Sequence, residues 1–197
     1  MAGFSKIKMK NTISFLKGYT EKLASFLKIE VGRNRKRTYV SSFYKNGTRT
    51  YNSPLESTGN LRESINSKYS KVRGVLAAYD VVAADYALDI QNGTTEVDLE
   101  SIERWIRKKP VQLRNSKGQI QKRTDKSIKS AASRIYGKIS TEGTKPVPFI
   151  TEAIDMSSGM LGNIATPFAM DIAENIEDFL NNLGYELVGN KFQLKQK

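Results

Sequence analysis

Apolar residues recur at helical spacing in several stretches of the chain. Between residues 12 and 30 they fall at Ile13, Leu16, Tyr19, Leu23, Phe26 and Leu27, with Phe15 and Ile29 beside them. Steps of three and four keep such positions on one face, so the pattern predicts an amphipathic helix. Thr12 is placed to cap it and Gly32 to stop it. A second helix is predicted from Asp98, as cap, to Lys108; Leu99, Ile102 and Ile106 share its face and Pro110 limits its end. Trp105, the single Trp, lies between these positions and is expected as a core anchor. A third helix runs from Asp125 to Ile139 on Ile128, Ala131, Ala132, Ile135 and Ile139, until Gly143 and Pro146 break the pattern. Pro148-Phe149-Ile150 opens a short helix through Ile154. The last starts at Thr166-Pro167, read as N-cap and first-turn proline, and carries Phe168, Ile172, Ile176, Phe179, Leu180 and Leu183 to Gly184. Its acids, Asp171, Glu174, Glu177 and Asp178, read as its wet face.

Shorter runs predict strands. Tyr39, Val40, Phe43 and Tyr44 precede Asn46-Gly47-Thr48, and Tyr51 follows, which suits an exposed hairpin over 38–52 with a type I′ turn. Leu61 and Ile65, four apart, fit one helical turn after Gly59. Residues 64–82 read as two strands, with Val75-Leu76-Ala77-Ala78-Tyr79 the best candidate for a buried one. Ala83 to Gln91 suits a short helix with apolar contacts from Tyr86, Leu88 and Ile90, ended by Asn92-Gly93. Residues 110–124 form a basic loop, and Tyr185 to Leu194 alternate as an edge strand would. Together these elements predict an α+β fold, amphipathic helices packed on a small antiparallel sheet.

At 197 residues, 39% apolar and 26% charged, the chain suits one domain with a real core. It has no Cys and no His. That excludes thiol nucleophiles, Ser-His triads, imidazole bases, disulfides and the usual zinc and haem sites. No apolar run approaches the roughly 18 residues of a membrane span, so no membrane partner is expected. Met1 to Lys10 lacks the continuous apolar core of a signal peptide.

Charge changes the picture more. The net charge is +12, and it is uneven. Residues 1–50 hold 12 basic and 2 acidic side chains, and 101–150 hold 13 and 3. Residues 51–100 hold 4 and 8, and 151–197 hold 3 and 7. Either the basic clusters are solvated loops, or they face an acidic partner such as nucleic acid or a neighbouring subunit. The candidates are Arg33, Arg35, Lys36 and Arg37, then Arg104, Arg107, Lys108, Lys109, Arg114, Lys122 and Arg123.

Catalytic chemistry finds little support. Phosphate-binding glycine loops and the G-x-S-x-G elbow are absent. Asp80, Asp85 and Asp89 have a spacing that can hold Mg²⁺, yet they read better as a solvated edge. No spacing selects a carboxylate–lysine pair, such as Glu152 with Lys145 or Lys138, for a nuclease. No catalytic residue, metal site or cofactor is expected.

Three segments carry a resemblance. Thr58-Gly59-Asn60-Leu61-Arg62-Glu63-Ser64-Ile65 resembles a T-G-x-L-R-x-S-I pattern. Ala84-Asp85-Tyr86-Ala87 through Gln91-Asn92-Gly93-Thr94 is similar to Y-A-x-x-x-E-x-G-T. Pro146 to Ile154 is similar to P-x-P-F-L-x-x-A-L. In this order, after an N-terminal amphipathic helix, they resemble the tail-completion or neck (head-tail connector) proteins of tailed phages. Gly143-Thr144 offers a second match to the Gly-Thr pair. Relative to that family, residues 98–140 form a basic helical insertion, and 160–197 a longer C-terminal helix and tail.

The resemblance implies a virion structural protein without enzymatic activity. Its subunits would close a homo-oligomeric ring, of six- or twelve-fold order, at the neck. Portal or connector and tail proteins would be its partners, and genomic DNA in the channel a non-specific contact. Gly59, Leu61, Tyr86, Gly93, Pro148 and Phe149 would be structural, Gly59 permitting a tight backbone and Pro148 and Phe149 starting and anchoring a helix. The alternatives are a basic protein that binds nucleic acid without sequence preference and, with less support, a divalent-metal nuclease.

Overall fold

The computed structural model of the chain describes residues 7–40, 48–53, 55, 59–71, 77–108, 112–115 and 117–195. It is an α+β structure of helices and short antiparallel ladders. The chain divides into two compact units. One comprises Met1–Phe26, Ile65–Val82 and Ala153–Lys197, the other Leu27–Ser64 and Ala83–Glu152.

Helix α1 (Lys10–Gly32) contributes to both units and stops at Gly32. Thr20, Ala24, Leu27 and Val31 are buried along it, at steps of four, three and four. The helix begins two residues before Thr12, so Thr12 lies inside the first turn and is not its cap. A side chain from the last helix does that work, as described below.

Among the described residues the strands form three separate two-stranded ladders. Strand β1 (Arg35–Val40) pairs with β2 (Thr48–Ser53), Arg35 opposite Ser53. The expected Asn46-Gly47 turn lies outside the described residues. Strand β3 (Asn66–Lys71) pairs with β4 (Ala77–Val82), Asn66 opposite Val82. Val75 and Leu76 lie outside the described residues. Of the rest of the expected buried strand, Ala78 and Tyr79 are only half-buried, since a two-stranded ladder does not bury its faces by itself. Strands β5 (Tyr185–Val188) and β6 (Lys191–Leu194) turn the expected C-terminal edge strand into a hairpin.

In the second unit, α2 (Asn60–Ser64) buries Leu61. Helix α3 (Ala87–Asn92) buries Ala87, and of the residues expected to make its contacts only Ile90 is half-buried. Tyr86 stands just before the helix and is exposed with Leu88, because Ala87 fills the inward position. Helices α4 (Leu99–Lys108) and α5 (Asp125–Glu142) pack together on Ile102, Ile106, Leu113, Ile128, Ala131 and Ala132. Both are capped. Asp98 Oδ1 accepts the Ser101 N–H at 2.7 Å, and Thr124 and Ser127 cap each other reciprocally at the start of α5. Trp105 is 41% exposed and not the expected core anchor. At about 100° per residue, with Ile102 and Ile106 inward, Trp105 falls about 80° from the centre of their face, at its flank.

Helix α6 (Phe149–Leu161) is longer than the predicted short helix through Ile154. A 3₁₀ turn, Gly162–Ile164, leads directly into α7 (Ala165–Asn182). The chain is already helical at Ile164, so Thr166 is not an N-cap; Pro167 falls in the first turn, where no backbone N–H is required. Among the described residues no helix is long and apolar enough to cross a membrane.

Candidate functional site

The segments quoted for the resemblance meet in the second unit. Gly93-Thr94 and Gly143-Thr144, both candidates for one motif, lie side by side. The Thr144 N–H donates to Thr94 O at 2.8 Å, and the Thr94 N–H to Thr144 Oγ1 at 2.9 Å. Gly93 has φ of +74°, and a Cβ there would sit 2.3 Å from Thr144 O. The position therefore demands glycine twice, for its backbone conformation and for the close approach. Residues 95–142 leave this pair of strands of chain and return to it, so α4 and α5 form an excursion with adjacent ends.

The next residues tie α3 to the start of α6. The Val147 N–H donates to Ile90 O at 3.0 Å. Gln91 Oε1 accepts the Ile150 N–H, and Gln91 Nε2 donates to Thr151 Oγ1, both at 2.8 Å. Gln91 thus caps α6 from another helix, satisfying one of its orphan N–H groups. Pro148 precedes the helix, and Phe149 opens it fully buried. Gly59 has φ of +82° just before α2, whose Leu61 is buried. Ser64 Oγ accepts the Ala84 N–H at 2.9 Å, joining the first motif to the second. Leu61 and Phe149 are thus buried, Gly59 and Gly93 have positive φ, and Pro148 is exposed just before α6. Tyr86 has an exposed side chain.

The basic candidates separate into two classes. Arg35 is not a free cation for DNA or a partner. Its Nη2 lies 2.6 Å from Glu30 Oε2 and 2.5 Å from Glu152 Oε2, and its Nη1 donates to Glu152 Oε1 at 3.0 Å. Glu30 is almost wholly buried, which is why the guanidinium is held inward. The hydrogen bond with Arg35 holds the Glu152 carboxyl below the ordinary glutamate value, and Arg35 above the ordinary arginine value. Arg33 lies 3.4 Å from Glu30 with its own side chain exposed. Lys36 is exposed, and Arg37 lies in β1.

On the α4–α5 excursion several arginines serve the local structure. Arg107 Nη1 lies 2.6 Å from Asp125 Oδ1, and that hydrogen bond holds Asp125 below the ordinary aspartate value. Arg123 donates to the carbonyls of Ile106 and Arg107 at the end of α4, where a cation also suits the helix dipole. Arg114 donates to Gly118 O at 2.7 Å and pairs through its backbone with Ile120, so the predicted loop contains a tied turn. Arg104, Lys108 and Lys122 are exposed, as are Lys126 and Lys129 on α5. Lys109 lies outside the described residues. Among the described residues no three acidic side chains gather as a metal ion would require.

In the first unit, Asp171 joins α7 to the start of α1. Its two carboxylate oxygens accept the N–H groups of Asn11 and Thr12. Burial alone would raise its pKa, but the hydrogen bonds from Thr12 and Asn11 outweigh it and hold the carboxyl below the ordinary value. Asn175 brackets Lys8 with two further hydrogen bonds, and Lys8 Nζ lies 2.6 Å from Asp178. Asp171 is 1% exposed, so it does not belong to a wet face. The apolar positions of α7 behave in the opposite way: Phe168, Ile172, Ile176 and Phe179 are exposed.

Sequence reasoning did not assign these roles: Glu30 went unremarked, Gln91 stood only at the Glu position of the Y-A-x-x-x-E-x-G-T pattern, and Asp171 was read with the wet face of the last helix. The signal for Glu30 was an acid inside the buried stripe of a helix, four residues from Phe26 and one from Val31. For Gln91 and Asp171 the partners lie 59 and 160 residues away, and no local pattern points to them. Comparison with protein-family models, with curated proteins and with solved structures gave no match to this chain.

Proposed function

We propose that the protein is a structural subunit of a tailed-phage neck, a tail-completion or head-tail connector protein that closes a ring between portal and tail in the virion. The observation that supports this best is the convergence of the motif segments. Gly93-Thr94, Gly143-Thr144 and the Pro146–Phe149 stretch, separated in sequence, build one junction through backbone hydrogen bonds and the Gln91 cap. The stretch that interrupts the motifs begins and ends at that junction, as an insertion into a conserved-order core would. The motif residues then act by packing, not by chemistry, and no step of catalysis is assigned to them.

Light scattering of the purified protein at low and high salt, alone and with a portal-type ring, tests the reading. A closed ring in either setting is the expected result. A monomer that joins no ring counts against it. The exposed Arg104, Lys108 and Lys122 favour a second reading, a monomeric protein that binds duplex DNA without sequence preference. Tight DNA binding by such a monomer would select it.

A further inference from the structure

The cations of α5 are ordered around its axis. With Ile128 as the inward direction and about 100° per residue, Ser130, Ser133 and Gly137 lie within about 40° of the outward direction. Lys126 heads that strip in the first turn. Lys129 flanks the strip on one side, and Arg134 and Lys138 on the other. All of these residues are exposed. Arg134 donates to Arg114 O at 2.7 Å, a neutral acceptor that leaves its charge uncompensated. The two acids of the helix lie at its ends and toward the inward side. Asp125 is held by Arg107, and Glu142 lies 3.6 Å from Lys138. Among the described residues Lys126 and Lys129 enter no ion pair. A Cβ at Gly137 would meet nothing within 4 Å, so no internal contact requires glycine there. The missing side chain leaves the backbone open to close approach from outside.

From Arg104 to Lys138 the chain has 12 basic residues and one acidic, Asp125. The cores of protein–protein interfaces are poor in Lys and rich in aromatic rings. This face carries three Lys and places its one ring, Tyr136, at the edge. Interfaces with nucleic acid are polar and strongly positive, as this one is. Shape selects duplex DNA among nucleic acids. A helix about 10–12 Å across fits the DNA major groove, about 12 Å wide. The corresponding groove of an RNA duplex is too narrow, and a single strand calls for a row of aromatic platforms. Cations on both flanks suit phosphates on both walls of a groove, with small residues between them toward its floor. No Asn or Gln stands on α5 to read adenine, which suits binding without sequence preference.

We infer that the outward face of α5 docks into the major groove of duplex DNA, with Lys126, Lys129, Arg134 and Lys138 on the phosphates. These are not the cations that the basic run of sequence singles out. Arg107, Arg114 and Arg123 are spent inside the α4–α5 stretch. Arg104, Lys108 and Lys122 add to the positive field around the helix. The inference rests on the DNA-binding reading above and names its contact surface, and it holds for a monomer or for a ring subunit.

Fluorescence anisotropy of the full chain with a short labelled duplex, over a salt series, tests it, with circular dichroism to verify folding. Lys126→Gln with Lys129→Gln should lower the slope of log K against log salt by about 2. Lys191→Gln with Lys195→Gln removes the same charge from exposed sites at the C-terminal hairpin and should leave the slope unchanged. Gly137→Leu removes no charge, has room for its Cβ and favours the helix. It should weaken binding about tenfold by obstructing the approach. Duplex RNA, single-stranded DNA and polyglutamate should compete poorly. Equal losses in the two lysine pairs, an unchanged affinity of the Gly137 variant, or displacement of the duplex by any of these competitors at equal charge overturns the α5 assignment alone. A wild type that does not bind duplex DNA overturns the DNA-binding reading with it.

Discussion

The Asp171 carboxylate accepts the backbone N–H of Asn11 at 2.8 Å and of Thr12 at 2.7 Å. The first N–H groups of an α-helix have no partner within the helix, and a nearby side chain usually supplies one. Here the acceptor comes from a helix 159 residues further along the chain. The negative charge also suits the positive end of the α1 dipole. One buried carboxylate therefore closes the first unit across nearly the whole length of the sequence.

Asp171→Asn should lower the melting temperature at neutral pH by a few degrees, measured by circular dichroism. The folded pKa of Asp171 lies below the unfolded value, so its contribution is present above the unfolded pKa and lost as pH falls through the folded one. The gap between wild type and variant should narrow below about pH 4. A gap that persists unchanged at pH 3 would remove the carboxylate from this role.

Arg35→Met should destabilise the protein by roughly 3 kcal/mol in urea denaturation, because it removes the closer and more buried of the two guanidinium partners of the buried Glu30 charge. Adding Glu30→Gln should recover part of the loss. Arg35→Met should not weaken DNA binding, since the guanidinium is held by Glu30 and Glu152.

Gly93→Ala and Gly189→Ala form a matched pair. Both glycines have positive φ, but only Gly93 has a backbone atom in the place of a Cβ. Gly189→Ala should cost about 1 kcal/mol from backbone strain alone. Gly93→Ala should cost at least twice that, since it also forces Thr144 away. Equal losses would mean that the two Gly-Thr pairs do not meet.

Charge reversal at Arg104, Lys108 and Lys122 should flatten the salt dependence of duplex DNA binding in fluorescence anisotropy. Each lost phosphate contact lowers the slope of log K against log salt by about 0.9. Reversal of Arg107 should instead destabilise α4–α5, because it opposes Asp125.

Much of the helical framework was legible because it obeys local rules. Asp98 caps where its position predicts, α5 starts at the predicted Asp125, and Ile102, Ile106, Ile128 and Ala132 form a core at helical spacing. The same rules misplace residues whose roles depend on distant partners. Asp171 sits on a polar stripe that is buried only because the start of α1 meets it. Arg35 belongs by composition to a basic cluster, yet Glu30 and Glu152 draw it inward. Tyr86 and Trp105 are large and apolar, but the smaller Ala87 and the neighbouring Ile106 occupy the inward positions. The two Gly-Thr pairs were visible as competing matches; that they bond to each other became apparent only in three dimensions.

The adjacent ends of the α4–α5 stretch make it an exchangeable cassette. Its own apolar cluster and its capped helices depend little on the segment that carries it. A lineage can lengthen, shorten or replace such a cassette while Thr94 and Thr144 keep their hydrogen bonds. The same geometry offers the experimenter a splice point, where a reporter domain with neighbouring termini can stand in for residues 96–142.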